Sequence, residues 1–262
     1  MPVLAIPLPF AGHRTVWVRE HSGSDERVVD GTDTSAALAL LDRLLVARSG
    51  AAAGPGEAAR LSTADRDQVL ASLCIATFGD RVDATRTCTR CEQPFDIEFR
   101  LSGLAQSVRE SAPPAPGDAV YALDGGVRFR LPTGEDELAV AGLPPDAAEA
   151  RLLERCLVSG DPERDGQRVT AAMAAAGPTL DLDLDATCTE CGAKEEVPFS
   201  IQAWLLGHVL KEQARLPRQV HVLARAYGWS LGEILSLSRR ERLAFVGLIE
   251  EERRASTRVR WS

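Results

Sequence analysis

Two Cys-x-x-Cys pairs constrain this chain of 262 residues more than any other feature of its sequence. The pairs are Cys88/Cys91 and Cys188/Cys191, and each stands in a Thr-Cys-Thr-x-Cys segment. An alternating apolar and polar run follows each pair, which is typical of a half-buried strand. The flanks of the two pairs therefore form a local repeat of about 15 residues.

The two pairs together supply the number of ligands that a structural zinc site needs. A Cys-x-x-Cys turn supplies two thiolates, whereas zinc in a structural site binds four ligands in a tetrahedron. The sequence therefore predicts one structural Zn²⁺ bound by Cys88, Cys91, Cys188 and Cys191. Closing the loop between the pairs costs on the order of 4 kcal/mol, less than the roughly 10 to 16 kcal/mol of a structural zinc site. Four thiolates leave no coordination position for a catalytic water.

Two other interpretations of the pairs stay open at this point. The cysteines could be two reduced pairs that bind no metal, or they could form disulfides in a thioredoxin-like redox site. Against the redox interpretation, neither pair follows a strand at the start of a helix, the position that lowers a thiol pKa. The other two cysteines, Cys74 and Cys156, lie inside apolar helical patterns and are predicted to be core residues.

The periodicity along the chain predicts an α+β protein in three parts. Residues 1–60 carry one or two strands, a helix and a flexible Gly-rich linker. Residues 61–201 form a zinc-ribbon-like domain, in which the two knuckles flank an inserted hairpin and helix segment. Residues 202–262 form a C-terminal helical docking domain.

Individual elements follow from the same patterns. Helices are predicted over 64–78, 145–158 and 169–176, and a hairpin is predicted at Asp124-Gly125-Gly126. The C-terminal part is predicted to hold four helices: two before a break at Gly228, a short third, and a fourth. The apolar positions predicted to face inward on the fourth helix are Leu243, Val246 and Ile249.

Composition and missing motifs exclude several classes of function. The net charge is −8, and residues 200–262 carry eleven Arg or Lys against six Asp or Glu, which leaves −13 for residues 1–199. An acidic body disfavours nucleic-acid binding. No apolar run approaches the ~18 residues that span a bilayer, and no basic leader precedes an apolar segment. We therefore expect a cytoplasmic protein without a membrane partner.

Catalysis is not expected either. The sequence has no phosphate loop, no His-rich metal motif and no set of nucleophile, base and orienting residue. We therefore predict a protein that is not an enzyme, with no catalytic residue, no cofactor besides the structural zinc and no small-molecule substrate.

A DNA-binding alternative comes from the C-terminal helices. Ala224, Gly228 and Ile234 have the spacing of a helix-turn-helix corner, which suggests a zinc-dependent DNA-binding regulator as the alternative function. The segment that would read bases contains Glu233 and lacks Arg, Asn and Gln, so this alternative is disfavoured.

A series of short segments carries a resemblance to a known family. In chain order they are Leu61–Asp67, Thr77–Asp80, the first cysteine pair, Phe129–Gly134, the second cysteine pair, Val220–Ser230 and Glu233–Leu235, followed by Arg239–Arg242. Together they resemble baseplate proteins of contractile phage tails and phage-tail-like injection systems, in the group similar to the T-even baseplate-hub assembly chaperone. The likeness runs from about Leu61 to Ile249, and residues 1–60 match little.

The resemblance implies a function of a particular class. It implies a non-enzymatic assembly factor or a small structural component of a baseplate, with hub or spike proteins or other tail proteins as partners. Such a protein works in the cytoplasm or becomes part of an assembled tail-like particle. The zinc prediction rests on the cysteines of this chain and not on the resemblance.

Overall fold

The computed structural model describes residues 3–10, 12 and 14–259, with side chains described as far as residue 255. The described chain contains ten α-helices and four small antiparallel sheets. This mixture of helices and antiparallel strands confirms the coarse prediction from the sequence.

Elements follow one another in the same order in two successive parts of the chain. The first part, which also holds a 3-10 turn at Ala58–Arg60, contains β1 (Val3–Leu8), β2 (Arg14–Arg19), α1 (Gly23–Glu26), α2 (Thr34–Leu44), β3 (Leu45–Val46), α3 (Thr63–Phe78), β4 (Arg81–Thr87), β5 (Pro94–Arg100) and α4 (Leu101–Ser111). The second part contains β6 (Val120–Leu123), β7 (Val127–Arg130), α5 (Gly134–Val140), α6 (Pro145–Cys156), β8 (Leu157–Ser159), α7 (Pro162–Ala176), β9 (Asp181–Thr187), β10 (Lys194–Ser200) and α8 (Ile201–Tyr227). Helices α9 (Leu231–Ser236) and α10 (Arg239–Val259) follow the second part. The described chain is thus a tandem repeat with two added helices.

A buried aspartate at the start of α1 is further evidence for the repeat, because the second part of the chain has an equivalent. Asp25 accepts a bidentate pair of hydrogen bonds from Arg19, at 2.7 and 2.8 Å, and a third from Arg43 Nε at 2.9 Å. Its Oδ2 also accepts from the backbone N–H of Ser22, which caps the helix. Burial of the carboxyl opposes its ionisation, but these donors outweigh burial and hold the pKa of Asp25 well below its ordinary value.

The second repeat builds the same cluster at the start of α5. Asp136 pairs with both terminal nitrogens of Arg130 and accepts from Arg155 Nε at 2.7 Å, while Thr133 supplies the capping N–H. Arg130 donates to the backbone carbonyl of Arg155, as Arg19 does to the carbonyl of its partner arginine. The repeat therefore includes individual hydrogen bonds, and it covers much more of the chain than the Cys-x-x-Cys segments.

The two β-ribbons match at a constant offset of 100 positions. Strand β4 pairs with β5 from Arg81↔Arg100 to Thr87↔Pro94, and β9 pairs with β10 in the corresponding register. At the base of the first ribbon the N–H of Leu101 donates to Asp80 O over 2.8 Å, and Ile201 N donates to Leu180 O over 2.9 Å in the second. Both ribbons are thus fixed in the same way where they leave the helices.

Helix α3 lies at the centre of the packing. It contacts α4, α8 and β1, and its predicted core residues Val69, Leu70, Leu73 and Cys74 are all buried. The main apolar core joins residues from 1–60, 61–201 and 202–262. The division of the chain into these three domains stays a prediction.

Several elements differ from those predicted. Residues 201–227 form one helix that continues through Pro217, where two helices were expected, and Leu157–Ser159 is a strand. Helix α7 begins at Pro162, because the Asp161 carboxylate accepts from the N–H groups of Glu163 and Arg164 and so caps it. Helices α4 and α5 were not predicted, although Leu101, Leu104, Ala105 and Val108 of α4 recur at helical spacing.

The inward face of α10 agrees with the prediction at Ile249, which is buried, and at Val246, which packs against the same cluster, but it differs at Leu243. Leu243 is 38% exposed, whereas Arg242 is fully buried one position earlier. Arg242 forms an ion pair with Glu26 and donates to Gln219 Oε1 at 3.0 Å and to Leu237 O at 2.8 Å. This polar anchor ties α10 to α1 and α8 and takes the inward position that the apolar pattern assigned to Leu243.

A buried carboxyl on α3 gives a pH-dependent prediction. Asp67 Oδ2 accepts from Leu180 N at 2.8 Å, and burial raises the pKa of Asp67 to about 6 although Arg66 opposes the rise. The folded state therefore binds a proton that the unfolded state releases near pH 4, so this group lowers stability as pH rises from 4 to 7. We expect Asp67→Asn to gain stability relative to wild type by roughly 2 to 3 kcal/mol between pH 4.5 and 7.5.

Urea unfolding of both proteins at several pH values measures this difference. The matched control is Asp183→Asn, which changes an exposed aspartate on β9 and should show no such trend. A constant difference between wild type and Asp67→Asn across the pH range would contradict the prediction.

Candidate metal centre

Both Cys-x-x-Cys segments fold as the same tight turn at the tip of a ribbon. In the first, Cys88 N donates to Gln93 O and Glu92 N donates to Cys88 O; in the second, Cys188 N donates to Ala193 O and Gly192 N donates to Cys188 O. All four bonds measure 2.9 to 3.0 Å. Each turn closes the strand pair and directs its two sulfurs to one side.

The position after the second cysteine needs a left-handed backbone. Gly192 has φ of 68° there, and Glu92 has φ of 58° at the equivalent position of the first turn. Glycine adopts this conformation without steric cost, whereas a residue with a Cβ atom pays about 1 kcal/mol. The first turn therefore keeps its shape against a local strain that the second turn avoids.

The two turns bring all four predicted ligands together. Cys88 Sγ lies 3.7 Å from Cys191 Sγ, and Cys91 Sγ lies 3.8 Å from Cys188 Sγ. The four sulfurs lie within 4.8 Å of one another. A Zn–S bond of about 2.3 Å places neighbouring sulfurs of a tetrahedral site about 3.8 Å apart. These four cysteines could therefore bind a metal ion such as zinc.

The cross-contacts are reciprocal between the repeats. The first cysteine of each turn approaches the second cysteine of the other, as in an interface with two-fold symmetry. The equivalent rings of Phe99 and Phe199 also meet edge to face, with centroids 5.2 Å apart. The sulfur cluster therefore joins the two repeats, and each repeat contributes one pair of ligands.

Apolar residues enclose the sulfur cluster on the side of the ribbons. Cys88 and Cys188 are each 1% exposed, and Phe95, Ile97, Ala186 and Ala193 pack around the cluster. Cys91 and Cys191 are half-buried. Low local polarity strengthens the attraction between a bound cation and thiolates, so this shell favours metal binding.

Glu195 breaks the symmetry between the two turns. Its Oε1 lies 3.2 Å from Cys88 Sγ, and it accepts from both Thr89 N and Thr89 Oγ1, at 3.1 and 2.9 Å. The bonds from Cys88 and Thr89 lower the pKa of Glu195. The equivalent position in the first repeat is the buried Phe95, so this carboxylate contacts one sulfur only.

The protonation of the thiols follows from these contacts. The N–H of Cys91 favours the Cys88 thiolate, but burial, the Glu195 carboxylate and Cys191 outweigh it and raise the pKa of Cys88 to about 12. Burial opposes ionisation of Cys188, yet bonds from Cys191 N, Glu190 N and the neighbouring thiols lower the pKa of Cys188 to about 7. Metal binding requires deprotonated thiols, so loading of the site releases protons.

The remaining cysteines lie outside the cluster. Cys74 and Cys156 are buried, and burial raises the pKa of Cys74 to about 12 and that of Cys156 to about 11. Thiols of this kind are inert core groups, as the sequence predicted.

The corner considered for DNA binding lies between α8 and α9. Gly228 ends α8 with φ of 70°, and Ile234 is buried under the turn. Helix α9 has only six residues, and the carboxylate of its Glu233 accepts from Ser230 N and Oγ to cap the helix. The exposed residues of this short helix are Leu231, Gly232, Glu233 and Ser236.

Sequence reasoning missed two features of the site and its supports. The four cysteines were identified by spacing, but no pattern indicated Glu195, because a charged residue is not expected on the inward face that it shares with Val197 and Phe199. The buried group of His21, Glu26 and Arg242 was also missed, since it joins residues more than 200 positions apart. The shared Ser/Thr-x-x-Asp caps at Ser22 and Thr133 are the sequence signal that could have revealed the larger repeat.

Comparison of the chain with models of known families, with curated proteins and with solved structures found no match. Within the described residues, every helix is too short or too polar to cross a bilayer.

The two turns allow a paired test of local strain. We expect Glu92→Gly to raise the free energy of unfolding by about 0.5 to 1 kcal/mol, because glycine removes the left-handed penalty. Gly192→Glu should lower it by about 1 kcal/mol for the opposite reason. Urea unfolding measures both changes. The control Glu149→Gly, at an exposed position inside α6, should be destabilising by about 1 kcal/mol; destabilisation by Glu92→Gly of the same size would contradict the assignment.

Proposed function

We propose that this chain is a zinc-stabilised, non-enzymatic scaffold that binds other proteins during assembly of a contractile tail or injection-system baseplate. The observation that carries the proposal is the sulfur cluster, whose 3.7 and 3.8 Å separations fit a tetrahedral site with four thiolate ligands. Residues Cys88, Cys91, Cys188 and Cys191 would hold the metal. A closed site of this kind stabilises a fold and leaves no coordination position for a substrate or water.

The arrangement of the ligands supports a structural role for the metal. One pair comes from each repeat, so a metal ion would join the two ribbons far from their fixed bases. An isolated two-stranded ribbon is only marginally stable in water. The bound metal would supply a stable connection, and the Glu195 carboxylate would stay on Thr89 once the Cys88 proton is lost.

The partner class rests on the sequence resemblance. The segments from Leu61 to Ile249 that resemble baseplate proteins include the second cysteine pair and the α8–α9 corner. We therefore infer that the partners are hub or spike proteins of a tail-like particle. The DNA-binding alternative draws no support from α9, whose exposed residues include no Arg, Asn or Gln.

Metal analysis tests the site directly. We expect one zinc per chain in the purified protein, and loss of at least half of it in Cys188→Ser, because three thiolates form an incomplete site. Chelation should lower the melting temperature of wild type, since metal bound to the folded state adds to stability.

The matched control is Cys156→Ala, which removes a buried cysteine outside the cluster and should retain the zinc. Titration of thiols in denaturant separates metal-bound thiolates from disulfides. Protein without zinc and with two disulfides would contradict the structural-metal proposal and favour the redox interpretation.

Co-expression tests the partner class. We expect the tagged chain to retain a hub or spike protein from a contractile tail gene cluster, at a stoichiometry that survives size-exclusion chromatography. A gel-shift assay with duplex DNA at low salt should show no binding. Retention of none of these tail proteins, together with salt-sensitive DNA binding, would overturn the proposal in favour of a DNA-binding regulator.

A further inference from the structure

A groove of about 610 Å³ lies between α8, α9 and the end of α1. Its apolar lining residues are Leu216, Pro217, Val220, Leu231 and Leu235. Leu216 and Leu235 are buried at the groove, whereas Leu231 is 54% exposed. A large exposed apolar side chain beside an apolar groove is typical of a surface that a partner covers.

Helix α8 presents a continuous stripe to this groove. The α8 residues in the lining recur at helical spacing, namely Gln213, Leu216, Pro217, Val220 and His221. An adjacent side of the helix is occupied within the chain, because Gln219 accepts from Arg242 of α10 and Leu223 packs with Ile249. The stripe meets internal packing at Gln213, which donates to Glu26 O and Val29 O, and at Val220, which packs against the cluster of Leu223 and Ile249. Pro217 and His221 on the same stripe are exposed.

The charges around the groove have one sign. Arg27 is the charged residue in the lining, and no Asp or Glu lines the groove. Arg218 and Arg225 lie on α8 next to the stripe, three residues before and four residues after His221. Among the described residues, none of these three arginines forms an ion pair, whereas Arg19, Arg130 and Arg242 all pair with buried carboxylates.

We infer that this groove binds an amphipathic helix of a partner protein, with acidic side chains beside its apolar face. The groove lies between helices, so it offers no open strand edge for an extended peptide. A helix also satisfies its own backbone and can place side chains at i, i+3, i+4 and i+7 into an apolar groove. The unpaired arginines select acidic flanks.

This inference deepens the proposed scaffold function and rests on it for the existence of a protein partner. It names the surface and the chemistry of the partner segment, which the sequence resemblance does not supply. Its test is therefore separate from metal analysis and from retention of tail proteins.

A display library of 16-residue helical peptides tests the inference on the full zinc-loaded chain. The peptides carry Leu, Ile, Val or Phe at i, i+3, i+4 and i+7, with flanking positions randomised among Glu, Lys, Gln and Ala. Selection against wild type with counter-selection against Leu231→Glu should enrich peptides with Glu-rich flanks. Leu231 is exposed, so this substitution leaves the core intact.

Fluorescence anisotropy then quantifies the best enriched peptide. We expect Leu231→Glu to weaken its binding at least tenfold. Arg27→Gln should weaken it about three- to tenfold and reduce its dependence on salt, because one attraction is removed. Replacing every Glu of the peptide by Lys should weaken binding at least tenfold. The control Leu143→Glu changes an exposed leucine away from the groove lining and should bind as wild type does.

Four results would overturn the inference. The first is that no enriched peptide is sensitive to Leu231→Glu, and the second is that enriched peptides carry Lys-rich flanks. The third is that wild type forms a dimer in sedimentation equilibrium that Leu231→Glu dissociates, which makes a second copy the occupant. The fourth is that tail proteins are retained equally by wild type and Leu231→Glu; the groove assignment then fails and the scaffold function stands.

Discussion

The approach of four sulfur atoms from two distant turns is the contact on which the pairing of the two ribbon tips depends. Each ribbon is fixed at its base by a backbone bond, from Leu101 N or Ile201 N, and extends from there to its Cys-x-x-Cys turn. Between base and tip, the ribbons meet at the edge-to-face pair of Phe99 and Phe199. Val82 and Phe199 join the lower parts of the ribbons to the main apolar core. Two-stranded ribbons add little stability of their own, so contacts between the tips decide whether the tips stay together.

The sequence predicted this contact more fully than it predicted the fold around it. Cysteine spacing identifies ligands because a tight turn and a tetrahedral ion leave few alternatives, and the period-2 strands beside it are half-buried. The larger repeat escaped prediction because equivalent positions carry different residues, such as Phe95 and Glu195. A charged residue such as Arg242 is expected to be exposed. Its burial depends on the ion pair with Glu26, which lies 216 positions away in the chain. Local periodicity contains no information on such pairs.

The repeats differ most where their last helices end. Helix α4 stops at Ser111, because Ala112 precedes Pro113 and is held in an extended conformation. Its counterpart α8 continues to Tyr227 and passes through Pro217 on the way. The second half of α8 has no equivalent in the first repeat. This extra length carries the contacts to α9 and α10, including the buried Arg242.

A division of roles between duplicated and unique parts follows from these differences. The duplicated elements supply the capped aspartate clusters, the ribbons and the thiols, all of which have internal partners. The unpaired Arg218 and Arg225 instead lie on the unique half of α8, beside the groove that it forms with α9, and Arg27 at the end of α1 lines the same groove. Internal pairing satisfies the charges that hold a fold together, so charges left unpaired beside an apolar groove are available to a partner. The duplication thus accounts for a rigid support, and the unrepeated helices account for what that support presents.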